Sequence, residues 1–182
     1  MARRDTGATD RLSRARSALD AWAAALPAAA LASLTGSHGR TVAELLDGIH
    51  ADRDPSVSDA PLAEAALVST LAALTAALPD SPPPLERASV AGAVRTTLGV
   101  LAARHPGQLV EVRVPPWGAV QIGVPGAASV HRRGTPPNVV ECDAMTWLAL
   151  ADGRLSWADA AAQHRVSASG AHADLGDLLP LT

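Results

Sequence analysis

The apolar positions of this chain keep one rhythm for its first hundred residues and another for the forty that follow. Leu12, Ala15, Leu19, Trp22 and Leu26 recur at steps of three and four. That spacing predicts a helix from Thr9 or Asp10 which Pro27 ends or kinks. "LTGSHG" reads as a turn. "TVAELLDGIHAD" follows with Thr41 in a capping position and Glu44 three residues on, the capping-box pattern of a helix start. After the loop "ADRDPSVSDAP", "LAEAALVSTLAALTAAL" predicts an Ala/Leu helix that Pro79 stops. "PDSPPP" then favours extended backbone. A further helix is expected over "LERASVAGAVRTTLGVLAARHPG", with Val90, Val94, Leu98 and Leu101 on one stripe and Pro106 and Gly107 at its end.

From Leu109 the period becomes two. Val110, Val112 and Val114 alternate with Glu111 and Arg113, and Val120, Ile122 and Val124 alternate around Gln121, as in strands with one buried face. "PPW" and "PGA" are turns. "ASVHRR" predicts a third strand, "GTPP" a turn and "NVVEC" a fourth strand. Helical spacing returns with Met145, Leu148 and Ala149 after a capping Asp143, and Gly153 stops it. Ser156 is expected to cap a short helix reaching Ala162. "RVSASG" is expected as a last strand, with Val166 and Ala168 on one face, and "ADLGDLLPL" as a short final helix.

This order predicts an α+β fold in which helices cover one face of a mostly antiparallel sheet, preceded by an Ala-rich helical N-terminal region. The expected organisation is a helical extension over 1–84, with a disordered basic arm at 1–9 and the Pro-rich linker, and a second domain over 85–182.

Composition narrows the function. All 15 basic residues are arginine, and there is neither Phe nor Tyr, so Leu, Val, Ala and four tryptophans must form the core. A net charge of −3 and few aromatics argue against nucleic-acid binding. One cysteine, Cys142, excludes an internal disulfide and any multi-cysteine zinc site. Asp5, Asp10, Asp20 and Pro27 interrupt what would otherwise read as a secretory leader, and no uninterrupted apolar stretch is long enough to span a bilayer. A cytoplasmic protein without stable membrane insertion is expected.

The stretch "DAMTWLALADGRLSWADAAAQHRVSASG" resembles the C-terminal half of the sterol carrier protein type 2-like fold. The matching residues are Asp143, Trp147, Leu148, Gly153, Arg154, Leu155, Ala158, Arg165, Val166, Ser169 and Gly170. "VRTTL", "PGQLVEVRVPPWGAVQ" and "RGTPPNVVECD" are similar to bacterial, mainly actinobacterial, sterol carrier family proteins, so the resemblance covers about residues 88–182. It implies a non-catalytic protein that holds a fatty acyl chain or other lipid in an apolar cavity. Upstream, "TVAELLDGIHAD" resembles the first motif of maleylpyruvate isomerase and DinB-like helical bundles, which place metal-binding histidines on their helices. Only His38 and His50 lie in this region, with Glu44 and Glu64 as the acids to join them, and no His-x-x-x-His pair exists. No metal, cofactor or catalytic residue is expected.

The candidate ligand-binding residues are Trp117, Val120, Ile122, Trp147, Leu148, Leu155, Trp157 and Val166. Taken one at a time, each would serve as well in a closed core; together they fit a mostly apolar pocket. Arg132 and Arg133, beside His131, could take a carboxylate or phosphate headgroup, although a solvated hairpin is the simpler account of them. A Cys142–His131 nucleophile and a triad from "SASGAHAD" are both rejected: a lone buried cysteine is usually inert, and neighbouring positions on one strand do not converge. The alternative function is an accessory or interaction domain of an enzyme system related to maleylpyruvate isomerase and DinB-like proteins, and the N-terminal helices are where a homodimer or an enzyme partner would dock.

Overall fold

The computed structural model describes residues 6–25, 60–77, 82–126 and 137–181. The predicted helix at "TVAELLDGIHAD", its His38, Glu44 and His50, the predicted strand "ASVHRR" and Arg132 and Arg133 all lie outside the described residues. The chain divides into two compact units, 1–93 and 94–182.

In the first unit α1 (Thr6–Ala25) and α2 (Ala60–Ala77) pack together. Leu12, Ala15 and Leu19 bury against Leu67, Leu71 and Leu74, with Trp22 and Leu85 partly buried beside them. The three-and-four rhythm of α1 is therefore its contact seam, as the sequence implies. The helix starts earlier than expected, so residues 6–9 belong to it and not to a disordered arm. Across the seam Arg11 donates from Nε and Nη2 to the two carboxylate oxygens of Glu64, at 2.6 and 2.9 Å. Glu64 is fully buried, and the Arg11 side chain is 22% exposed. Gly92, near the start of α3 (Arg87–Arg104), lies against this pair: a Cβ there would come within 2.9 Å of a Glu64 oxygen.

The second unit begins inside α3. Val90, Val94, Leu98 and Leu101 are all buried, the stripe that the sequence predicts. Four strands follow: β1 (Val110–Val114), β2 (Gly118–Ile122), β3 (Asn138–Cys142) and β4 (Val166–Ser169), in the sheet order β2-β1-β3-β4. Two of the three pairings are antiparallel, as expected for the sheet overall; the central β1–β3 pairing is parallel. The β1–β2 hairpin uses one edge of β1, so the returning chain adds β3 to the other.

Register assigns the faces. Val110 pairs with Ile122 and Asn138, Val112 with Val120 and Val140, and Cys142 with Val166. Directly opposed residues share a face, so these make one apolar side. Glu111, Arg113, Gln121, Glu141, Ser167 and Ser169, with Ala119 and Val139 among them, make the other. Leu98 reaches the apolar side: its Cδ1 lies 3.4 Å from where a Gly118 Cβ would stand.

Local chemistry then sets the two short helices. α4 (Ala144–Ala151) starts directly after β3. Asp143 caps it, accepting from the backbone N–H groups of Met145 and Thr146 at 2.8 and 3.0 Å and from the Thr146 hydroxyl at 2.6 Å. Seven of its eight residues are buried, the signature of an internal helix. Gly153, at φ +77, turns the chain out. Ser156 caps α5 (Trp157–Ala162), accepting from Asp159 N–H at 3.0 Å.

The expected final helix is a single 3-10 turn, Gly176–Leu178. The position before a proline disfavours helical backbone, and Leu179, which precedes Pro180, is extended. Leu181 N–H then donates to Ala151 O at 2.8 Å, tying this segment to the end of α4.

Asp143 gives a pH-dependent prediction. Burial pushes its carboxyl up, but the Thr146 hydroxyl and the N–H groups of Thr146 and Met145 outweigh it and hold the group below its ordinary value of 3.8. A depressed folded value means that the ionised form is favoured by folding. The stability it adds is therefore present above the ordinary carboxylate range and is lost as pH falls through the folded value. Asp143→Ala is expected to cost about 0.5–2 kcal/mol at neutral pH. Asp143→Asn should keep most of the cap and flatten the acid limb, measured by urea unfolding between neutral and acid pH.

Candidate functional site

The apolar face of the sheet is the place to look for a guest, and its openness is uneven. Val110, Val112, Val114 and Ile122 have no exposed surface and Val140 has 1%. Toward the sheet edges the cover thins: Val120 on β2 and Val166 on β4 are half-buried, and Ala168 is exposed. These edges are three strand spacings apart, about 14 Å.

The helices add Trp147 and Leu148, each 1% exposed. Trp147 is fixed at its polar end, where Nε1 donates to the Thr97 hydroxyl of α3 at 2.8 Å. The expected lining residues thus fall into three groups. Ile122, Trp147 and Leu148 are already in contact with protein on all sides. Val120 and Val166 are the half-open members of the same sheet face. Leu155, Trp157 and Trp117 are half-buried elsewhere. Leu155 precedes the Ser156 cap, with its N–H on Ala149 O at 3.0 Å. Trp157 opens α5 and lines a surface depression of about 520 Å³ with Ser156, Ala158, Asp174, Gly176 and Asp177. Trp117 sits in the turn between β1 and β2, its N–H on Val114 O at 2.8 Å.

Two polar residues that the sequence reading passed over organise this unit. Asn138, 3% exposed, opens β3 and donates from Nδ2 to Leu109 O at 2.9 Å. Its Oδ1 accepts from His172 N–H at 2.9 Å, so one side chain ties the start of β1 to the chain leaving β4. Gly170 permits this approach: its φ is +106, and a side chain there would overlap Asn138 Oδ1 and Pro137 O. Thr97, which holds Trp147, is the second. A lone Asn after two prolines is the only local hint of the first, and the Thr97–Trp147 pairing has none.

No nucleophile assembles among the described residues. Burial, aided by the charges of Asp143 and Glu141, pushes the Cys142 thiol up to about 12. At neutral pH it stays protonated and is a poor nucleophile. Alkylation of the folded protein is expected to be slow, becoming fast in denaturant; rapid labelling of folded protein at neutral pH would contradict the burial. Ser169 is exposed on β4, the His172 backbone is engaged by Asn138, and Asp174 accepts from Gly176 N–H at 2.8 Å. These three do not form a relay. Glu64, considered above as a metal partner, is instead clasped by Arg11. Among the described residues no group of three or more His, Cys, Asp and Glu is placed to hold a metal ion, and no helix is long and apolar enough to cross a membrane.

Comparison with known proteins agrees with the fold. No curated protein matches the sequence. A family model described as bacterial SCP ortholog matches residues 86–181, from the start of α3 to the last described residue. That span contains the whole sheet, both short helices and every expected lining residue. On this match, over more than half its length, the chain belongs to the bacterial family of sterol carrier protein orthologs.

Proposed function

We propose that this protein is a non-catalytic binder of a hydrophobic small molecule, a fatty acyl chain or another lipid, and that it carries this guest inside the cell. The observation that carries the reading is the family match over 86–181. The apolar sheet face supports it: Val120 and Val166 are half-open at the margins, and Ile122, Trp147 and Leu148 form the packed centre. The guest enters at an open margin and displaces side-chain contacts, with Leu155 and Trp157 completing the wall and Arg132 and Arg133 receiving an anionic headgroup. Burying about twelve methylenes contributes on the order of 10 kcal/mol. Association costs of about 4 kcal/mol or more leave an affinity of roughly tens of micromolar.

The test is native mass spectrometry of the full chain purified from a heterologous host, before and after organic extraction, with displacement of a fluorescent fatty acid. Extractable adducts and saturable displacement are expected. A clean apo mass with no displacement overturns the reading. Val120→Glu, at a half-buried position, should weaken binding while leaving the fold intact.

An accessory role in an enzyme system draws less support. It rested on apolar helix faces that need a covering subunit, and the Leu12–Ala15–Leu19 seam of α1 is covered by α2 of the same chain.

A further inference from the structure

We infer that Arg95 of α3 receives the carboxylate of an acyl guest at the β2 margin of the apolar sheet face, which makes a free fatty acid the favoured cargo over a neutral lipid. The inference rests on the lipid-binding reading and deepens it by naming the charge at the guest's polar end. The β2 margin supplies the apolar part of the site. Gly118 stands opposite Val114, and Val120 opposite Val112, so all four share the apolar face. Val112 and Val114 have no exposed surface, whereas Gly118 and Val120 on the end strand β2 are half-buried. Hydrocarbon on this face can therefore be reached from solvent along β2.

α3 brings a cation to the same place. Val94, Leu98 and Leu101 form its buried stripe, and Arg95, beside that stripe and one turn before Leu98, is exposed. The Leu98 Cδ1 and the Arg95 Cγ lie 3.4 and 3.8 Å from where a Gly118 Cβ would stand. The stem of Arg95 thus runs along the apolar margin while its guanidinium is left to solvent, as long basic side chains commonly do. Arg95 makes no ion pair with a described residue. Glu111 and Glu141, the acids of the paired strands, lie on the opposite face, and Glu111 pairs with Arg113 at 2.6 Å. Reachable hydrocarbon and a guanidinium with no described counter-charge therefore stand side by side, the complement of a molecule that is aliphatic at one end and anionic at the other. The guanidinium fork matches a carboxylate in shape and charge; an ester or a sterol hydroxyl leaves that charge unanswered. Arg95 is a cation for this headgroup in addition to Arg132 and Arg133.

The experiment titrates the full chain, and its Arg95→Gln and Arg95→Lys variants, with a fluorescent fatty acid and with the methyl ester of the same acid at neutral pH. The readout is the ratio of the two affinities, which cancels what the hydrocarbon contributes. Arg95→Gln keeps most of the stem and should lower the acid-to-ester ratio about fivefold, the size expected of a partly solvated ion pair. Arg95→Lys should retain part of the ratio, and high salt should lower it in wild type and leave it nearly unchanged in Arg95→Gln. Both variants should melt with wild type, because the position is exposed. An unchanged ratio in Arg95→Gln overturns the assignment and leaves the carrier reading standing, as does a wild type that binds the ester alone. Equal weakening of both probes by Arg95→Gln also overturns it, since the stem and not the charge would then matter. If wild type binds neither probe, the carrier reading fails and takes this assignment with it.

Discussion

Trp147→Ala is expected to lower stability by about 3–5 kcal/mol, the range for truncating a fully buried large aromatic. Trp147 is 1% exposed, and its neighbours Thr146 and Leu148 to Ala151 are buried too, so no adjacent surface can collapse into the space cheaply. The substitution also frees the Thr97 hydroxyl from the indole N–H. Thr97→Val separates the two contributions. It keeps the indole in place and leaves its buried N–H unpaired, at a cost of about 1–3 kcal/mol. Urea unfolding of the full chain, following tryptophan emission and far-ultraviolet circular dichroism, gives both values. A loss under about 1 kcal/mol for Trp147→Ala would mean that the indole borders a hollow in solution and is not packed on every side. That outcome would favour a pre-formed pocket over one opened by the guest.

What was legible in the sequence is what neighbouring residues decide between themselves. The seams of α1 and α3, the alternation of β1 and β2, the caps at Asp143 and Ser156 and the turn at Gly153 each need only a few adjacent residues, and each stands where the pattern put it. Apolar spacing in "ADLGDLLPL" predicts a short helix, and Pro180, with extended Leu179 before it, limits that helix to one 3-10 turn. Strand order was not legible, since alternation says which face a side chain takes and nothing about which strand lies beside which. For that reason the alternation puts Val120 and Val166 each on an inward strand face, and their separation to opposite edges is not written in it. The polar ties were hidden for a similar reason. Thr97 and Trp147 are 50 residues apart, Leu109 and Asn138 are 29 apart, and Arg11 and Glu64 are 53 apart. Trp117, an expected lining residue, stands half-buried in the turn between β1 and β2.

Breaking the Arg11–Glu64 pair is expected to match the Trp147 effect at about 3–5 kcal/mol, because a buried ion left without its partner keeps its desolvation cost. The asymmetry of the pair decides which variant suffers more. Glu64 has no exposed surface, whereas the Arg11 side chain is 22% exposed. Arg11→Ala therefore strands a carboxylate that cannot reach water, while Glu64→Ala leaves a guanidinium that can swing outward at smaller cost. Replacing both with apolar residues of similar length, Arg11→Met with Glu64→Leu, should recover most of the loss or exceed wild type, as buried pairs exchanged for packed hydrocarbon commonly do. The double-mutant cycle, measured by urea unfolding of the full chain, should give a coupling well above the 0.2–1 kcal/mol typical of exposed pairs. Gly92→Ala provides an independent check on geometry. Its added carbon would stand 2.9 Å from a Glu64 oxygen and 3.1 Å from Arg11 Nη2. It should therefore destabilise the wild type more than the Met/Leu variant, even though alanine is the better helix former. A coupling near zero, or an Arg11→Ala variant as stable as wild type, would mean that the two side chains do not meet in solution and that α1 and α2 are held by the leucine seam alone.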